Sequence, residues 1–389
     1  MLDLAPESDH WLQCRSFSSA GGTPEHYIAI TAPPGLDLSD ALDYIQARYR
    51  EGLQSLHLEP DSAIFRRIFL SDAINQAPLV RESMLFSDPA TSPAAVSIVQ
   101  QPPLPNSKVA LLAYHVGGRL SKRRISPKHL LVEKNGTRHL WSTRLCAEGR
   151  GAPGSAETQT WEVFSDLIAA LTCNAGNLRE NCVRTWLYIK DVDIFYRGMV
   201  ESRDRVFRQH GMTEETHYIA STGIEGACGH QFDVVLMDAY SNLDLKAGQM
   251  TYLQDLDRLC PTKNYNVHFE RGTKLTYRDR AHHYISGTAS IDSAGKVIHP
   301  GNVLKQLERA LDNVDGLLAS GDACLEDMTH LIVYLRDEAD FSRIRDYLGE
   351  RLPGLPAVYV KGPVCRPEWL IEVEGIAIKA HHALEMPAF

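Results

Sequence analysis

The 389 residues carry 40 Lys and Arg against 49 Asp and Glu, a formal net charge of −9. Such an acidic balance excludes an extended phosphate-binding surface for nucleic acid but leaves room for a local basic pocket. With 44% hydrophobic and 23% charged residues, the composition is that of a globular chain long enough for two or three domains, and no apolar run reaches the roughly 20 residues that span a bilayer.

Met1 to His10 lacks a basic segment followed by an apolar core, so the expectation is a cytoplasmic chain without a secretion signal. The eight cysteines (Cys14, Cys146, Cys173, Cys182, Cys228, Cys260, Cys324 and Cys365) include no C-x-x-C pair and read as reduced thiols. Neither His282–His283 nor His381–His382 has a partner at ligand spacing, and no metal is expected. There is no P-loop and no G-x-G-x-x-G after a strand, and no cofactor is expected. Asn135-Gly-Thr137 matches a glycosylation sequon and is discounted in a chain without a leader.

Taken in chain order, a strand is expected at Tyr27–Thr31, followed by a helix whose apolar spacing of three and four runs through Leu42, Ile45, Tyr49 and Leu53. A β-rich run, Ile64–Leu70, ends in Asp72 and leads to a short helix near Asn75–Met84. Strands Ala95–Val99 and Val109–Tyr114 follow, with a Pro-rich turn at Gln101–Asn106 between them. The basic, Gly-containing stretch Gly117–Lys128 reads as a linker.

The pattern then recurs. Strand His139–Leu145 is followed by a loop at 149–155 and a helix with Trp161, Phe164, Ile168 and Leu171 on one stripe. The run Arg184–Ile189 ends in Lys190-Asp191, with Phe195 four residues later. Strands Thr216–Ala220 and Phe232–Tyr240 complete the copy. A long, poorly periodic connection, Asn242–Tyr277, precedes the third copy, and connections of that length are often functional. The third copy has strand Tyr284–Ile291, a helix entry at Pro300-Gly301-Asn302 and a stripe of Leu304, Leu307, Leu311, Val314 and Leu318. After these come His330–Leu335 with Arg336-Asp337 and Phe341, and strands Ala357–Val360 and Trp369–Ile378. The fold class is therefore α+β: three tandem units (1–116, 117–245 and 246–389), each a sheet with two helices on one face.

Alternation along Leu370–Glu374 places Glu372 and Glu374 on one face, opposite Ile371 and Val373. The apolar pair belongs against helices, so both acids face a seam between units. Aligning Asp238 with Glu374 puts Leu236 opposite Glu372, so one such acid is expected per chain. By the same alternation Arg184 points to the seam.

The third copy resembles the RidA (YjgF/UK114) family through Ile285–Ile291, Leu311–Val314, Val333–Asp337 and Ile371–Ala377. The resemblance implies RidA-like domains, and three copies in one chain imply an intramolecular pseudo-trimer, monomeric or further assembled. RidA imine deaminases carry an Arg after the Pro-Ala turn; here, after Pro356-Ala357, stands Val358. Thr216–Ile224, Ser286–Ser290 and Val364–Glu372 resemble the chorismatases instead. That resemblance implies a cofactor-free enzyme that binds chorismate, with no nucleic-acid or membrane partner, and releases pyruvate by carbon protonation from Glu372. Arg184, Arg203 and Arg278 are the candidates for gripping its carboxylates, and Tyr218, Ser221 and Thr222 for neutral hydrogen bonds, although Ser-Thr-Gly equally suits a turn. Gly287 and Cys365 match the branch that forms 3-hydroxybenzoate. The alternatives are a hydrolytic chorismatase giving a dihydroxy-cyclohexadiene acid, one that also makes 4-hydroxybenzoate, a RidA-like imine or enamine hydrolase, and a non-catalytic binding module.

Overall fold

The computed structural model describes residues 11–19, 22–89, 91–149, 154–262 and 267–389. These residues form three sheets. The first contains β1 (Leu12–Phe17), β2 (Glu25–Thr31), β3 (Ala63–Leu70), β4 (Ala95–Gln100) and β5 (Val109–Val116), with helices α1 (Leu38–Ser55) and α2 (Ala73–Glu82). The second contains β6 (Ser121–Ser126), β7 (His129–Lys134), β8 (Thr137–Leu145), β9 (Cys182–Ile189), β10 (Ala220–Glu225) and β11 (Val235–Asn242), with α3 (Ala156–Cys173), α4 (Leu178–Asn181) and α5 (Val192–Gln209). The third contains β12 (Met250–Tyr252), β13 (Gly272–Thr276), β14 (Arg280–Ala289), β15 (Met328–Leu335), β16 (Ala357–Lys361) and β17 (Ile371–Ala380), with α6 (Val303–Ser320) and α7 (Phe341–Arg351).

The strand orders β2-β5-β3-β4, β8-β11-β9-β10 and β14-β17-β15-β16 recur in the three sheets. Each has an antiparallel core and a parallel edge pair joined through a helix. The long helices α1, α3 and α6 cover one face of each sheet. The stripe Leu42, Ile45, Tyr49, Leu53 is buried as expected, as are Leu307, Leu311, Val314 and Leu318. Helix α3 is rotated from its expected face: Trp161 is 44% exposed, and Val163, Phe164, Leu167 and Leu171 make the contact. The apolar pattern of that helix is wide enough to suit two registers, and sheet packing selects one.

The opposite faces of the sheets meet around a pseudo-threefold axis. Tyr27 stacks on His330 at 4.8 Å and Phe65 on Trp141 at 5.1 Å, joining first to third and first to second sheets. The registers establish equivalent positions: Phe65, Arg184 and His330 pair with Tyr114, Tyr240 and Ile376.

Four expectations are corrected. Gly117–Lys128 is not only a linker, because it contains β6, an edge strand whose Lys and Arg side chains suit an exposed sheet edge. The connection before the third copy contains β12 and β13. Strand β10 starts at Ala220, where the expected strand ended, so Ser221-Thr222-Gly223 is strand and not turn. Strand β1, paired along β2, was not expected. All four involve strands at or next to a sheet edge, of which β1, β6 and β12 are the more exposed. Part of the expected loop at 149–155 lies outside the described residues.

Candidate active site at the seam of the second and third sheets

Glu372 sits on β17 between Ala289 of β14 and Tyr334 of β15. It and Glu374 share the face turned from the helices, as alternation requires, and both are buried, at 6% and 2% exposure. Their surroundings differ. Glu374 accepts from Arg184 Nη2 at 2.5 Å and from the Tyr334 hydroxyl at 2.8 Å. It also accepts from the Thr222 hydroxyl, and Arg67 Nη1 lies 3.7 Å away. Among the described residues Glu372 has no such cation or donor in contact. Burial first, and the Glu374 carboxylate second, push its carboxyl from 4.5 up to about 8, against weaker opposition from Arg271 and Arg184. A carboxylic acid in that range is protonated at neutral pH and able to donate.

The backbone makes room for this acid. The β14–β17 ladder shifts register between Ile285 and Thr288, a bulge of the kind found beside active sites. A Cβ at Gly287 would lie 2.2 Å from Glu372 Oε1, so only glycine lets the carboxyl rest against the bulge without a shift. The bulge is stitched to β10 of the second sheet: Ser221 N–H donates to Ser286 Oγ, and Gly287 N–H to Thr222 Oγ1, each at 2.9 Å.

Glu372 opens into a cavity of about 260 Å³. Its walls come from β10 (Ser221, Thr222, Gly223), α5 (Tyr196, Arg203), the segment before β13 (Phe269, Arg271) and the loop before β17 (Cys365, Arg366, Trp369). Arg203 is 1% exposed, and its Nε and Nη2 have no hydrogen-bond partner among the described residues. Leaving a buried guanidinium unpaired costs several kcal/mol unless an anion joins it, so Arg203 marks an anion position. Arg271, also buried, donates from Nη2 to the Cys260 carbonyl at 3.2 Å and lies over Phe269. Burial and then the nearby Glu372 push the Cys365 thiol up to about 12, so it remains a neutral wall group hydrogen-bonded to Tyr196.

Of the residues singled out in the sequence, the fold thus brings Glu372, Arg203, Ser221, Thr222, Gly287 and Cys365 to one cavity. Three others lie elsewhere. Arg184 points to the seam, but its guanidinium is bound to Glu374, Thr222 and the Thr185 carbonyl, behind the cavity. Arg278 is exposed in the β13–β14 turn, where its backbone bonds Pro387 and Ala383. Tyr218 packs on Phe207 and His268, outside the lining. Arg271, Arg366, Tyr196 and Trp369 were missed. Arg271 hides in the aperiodic connection, directly before Gly272, the first residue of β13.

Two alignments gain physical form. Leu236 faces Tyr188 as Glu372 faces Tyr334, and Asp238 faces Trp186 as Glu374 faces Ile332. In the first sheet the position of Glu372 is Ala110, opposite Phe69. Val358 of β16, read as the position of the RidA arginine, pairs with Ile332 of β15, and Pro103 and Leu104 of the first repeat bond the neighbouring Val360 and Tyr359. It therefore belongs to another seam. The equivalent position beside Glu372 is Thr222, paired with Trp186, and it too is not arginine.

The family model described as Endoribonuclease L-PSP matches residues 276–379. A 3-aminoacrylate deaminase RutC from Acinetobacter baylyi is 31% identical over 96 residues, which are 24% of this chain and 76% of that protein. A 3-hydroxybenzoate synthase from Streptomyces hygroscopicus is 26% identical over 223 residues, 50% of this chain. That match spans 63% of the relative, less than two thirds of its length. A crystal structure of a chorismatase superposes with a TM-score of 0.61 at 17% identity, covering 82% of this chain and 93% of that one, and the shared fold is a tandem RidA-like one. With its C-terminal third matched at 31% identity over 76% of a RutC relative, the chain belongs to the RidA (L-PSP) family, and its three-sheet arrangement is similar to that of a chorismatase.

Proposed function

We propose that the chain cleaves the enolpyruvyl ether of chorismate to pyruvate and 3-hydroxybenzoate, with the reaction in the cavity between the second and third of three tandem units (1–116, 117–245 and 246–389). The observation that carries this reading is Glu372: a buried acid, raised to about 8, facing a cavity that also holds Arg203, whose Nε and Nη2 have no hydrogen-bond partner among the described residues.

The two carboxylates of the substrate call for two cations, and Arg203 and Arg271 are the pair on the walls. A cavity of about 260 Å³ suits a small ring diacid, at the lower end of ligand pockets. Glu372 delivers its proton to the methylene carbon of the enol ether. The ring carbon–oxygen bond then breaks with its electron pair going to oxygen, and pyruvate leaves. The neighbouring ring hydroxyl, in place of water, closes on the carbon left behind and returns its proton to Glu372. Opening of that ring oxide with loss of the adjacent ring proton gives the phenol, and no water is consumed overall. Gly287 and Cys365 leave room for the pose this requires. The relatives' names support the substrate, and the absence of arginine at Thr222 weighs against imine hydrolysis.

Incubation with chorismate followed by product identification tests the proposal. The expected products are pyruvate and 3-hydroxybenzoate in equal amounts. A dihydroxy-cyclohexadiene acid would transfer the chain to the hydrolytic branch, and unchanged chorismate would reject catalysis.

A further inference from the structure

The pseudo-threefold axis generates a second cavity between the first and second sheets, of about 230 Å³. Leu236 stands there where the catalytic seam has Glu372, and Arg144 where it has Gly287. Arg144 fills part of the space, donating to the Val96 and Pro127 carbonyls. This seam therefore lacks the acid and the open bulge that carbon protonation requires.

It holds different chemistry. Cys146, just after β8, and Cys228 and Asp233, in the β10–β11 connection, place two sulfurs and a carboxylate oxygen within 4.8 Å of one another. All three residues are buried. Tetrahedral zinc with sulfur at about 2.3 Å and oxygen at about 2.0 Å needs donor atoms roughly 3.5 Å apart, and Cys228 Sγ already lies 3.8 Å from Asp233 Oδ2. Outer contacts of the kind that orient ligands are already present. The Glu148 backbone N–H bonds the Cys146 sulfur, and the Gly149 N–H lies 3.1 Å from both Asp233 oxygens. Lys128 Nζ lies 3.4 Å from the Cys146 carbonyl and is itself paired with Glu148 and Asp166. Cys146 and Cys228 both line the cavity, as does His230.

We propose that Cys146, Cys228 and Asp233 bind one zinc ion, with its fourth position facing the cavity beside His230. Soft thiolates with a carboxylate select zinc over the hard cations, and binding releases the two thiol protons to solvent. This proposal departs from the expectation of no metal, which rested on the spacing of the His pairs, because these ligands converge from two segments far apart in the chain.

The test uses the full chain, reduced, loaded with Zn²⁺ and freed of excess. Elemental analysis is expected to find one zinc per chain, and Co²⁺ in its place to show a thiolate-to-metal charge-transfer band. Cys146→Ser and Cys228→Ser are expected to lose both signals, and the exposed Cys173→Ser to keep them. If the serine variants misfold, the wild-type chain still decides: two thiols protected from a disulfide reagent until a chelator is added support the site. Wild-type protein that retains no zinc, or a cobalt band that survives in folded Cys146→Ser and Cys228→Ser, overturns it.

Discussion

Replacing Glu372 with glutamine separates stability from chemistry. The amide keeps the shape of the side chain and removes its titration. In the native chain the carboxyl is raised from 4.5 to about 8, so the folded state binds its proton more tightly than the unfolded state does. Its contribution to stability is complete below pH 4.5 and is lost progressively as pH rises to 8. Each unit is worth about 1.4 kcal/mol, so between about pH 5 and pH 8 the wild-type chain is expected to lose about 3 to 4 kcal/mol through this group alone. Glu372→Gln loses none of it. Urea unfolding of both proteins at the two pH values is expected to show the variant gaining on the wild type by about that amount at the higher pH, while pyruvate release, followed with lactate dehydrogenase, falls to background. A stability difference that is flat with pH would mean that the carboxyl is not held protonated by burial, and retained pyruvate release would remove it as the proton donor.

Three further outcomes follow from the same geometry. Glu374→Gln removes the fixed negative neighbour and frees Arg184, both of which lower the proton affinity of Glu372; the alkaline limb of the pH–rate profile is expected to move to lower pH, and an unmoved limb would show that Glu374 does not set it. Arg203→Leu deletes a charge-assisted contact worth about 1.5–3 kcal/mol, so kcat/KM for chorismate is expected to fall roughly tenfold to a hundredfold; a smaller loss than in Arg271→Leu would make Arg271 the principal anchor. Cys365→Ala enlarges the pocket wall beside Glu372, and the product is expected to shift toward the hydrolysed diene diol, read by chromatography of the two acids; an unchanged ratio would exclude the thiol from product control.

Local periodicity was enough to reveal the repeat and to place Glu372 on its strand face. Alternation with a period of two assigns Glu372 and Glu374 to the face opposite Ile371 and Val373, because a pleated strand has no other arrangement. Repetition of strand, Asp and helix reveals three copies, and Leu236 emerges as the counterpart of Glu372 from alignment alone. What alternation cannot reach is the closure of the three sheets around one axis. That closure draws Arg184 onto Glu374 and away from the cavity, buries Arg203 with two guanidinium nitrogens lacking a hydrogen-bond partner among the described residues, brings Arg271 in from an aperiodic connection, and moves Val358 to a seam where Glu372 is absent. It also gathers Cys146, Cys228 and Asp233. Each of these contacts joins residues from different elements or repeats, and their distances depend on how faces pack rather than on spacing along any one strand or helix. The acid was legible because its environment begins with its own strand; its partners were not, because they arrive from elsewhere in the chain.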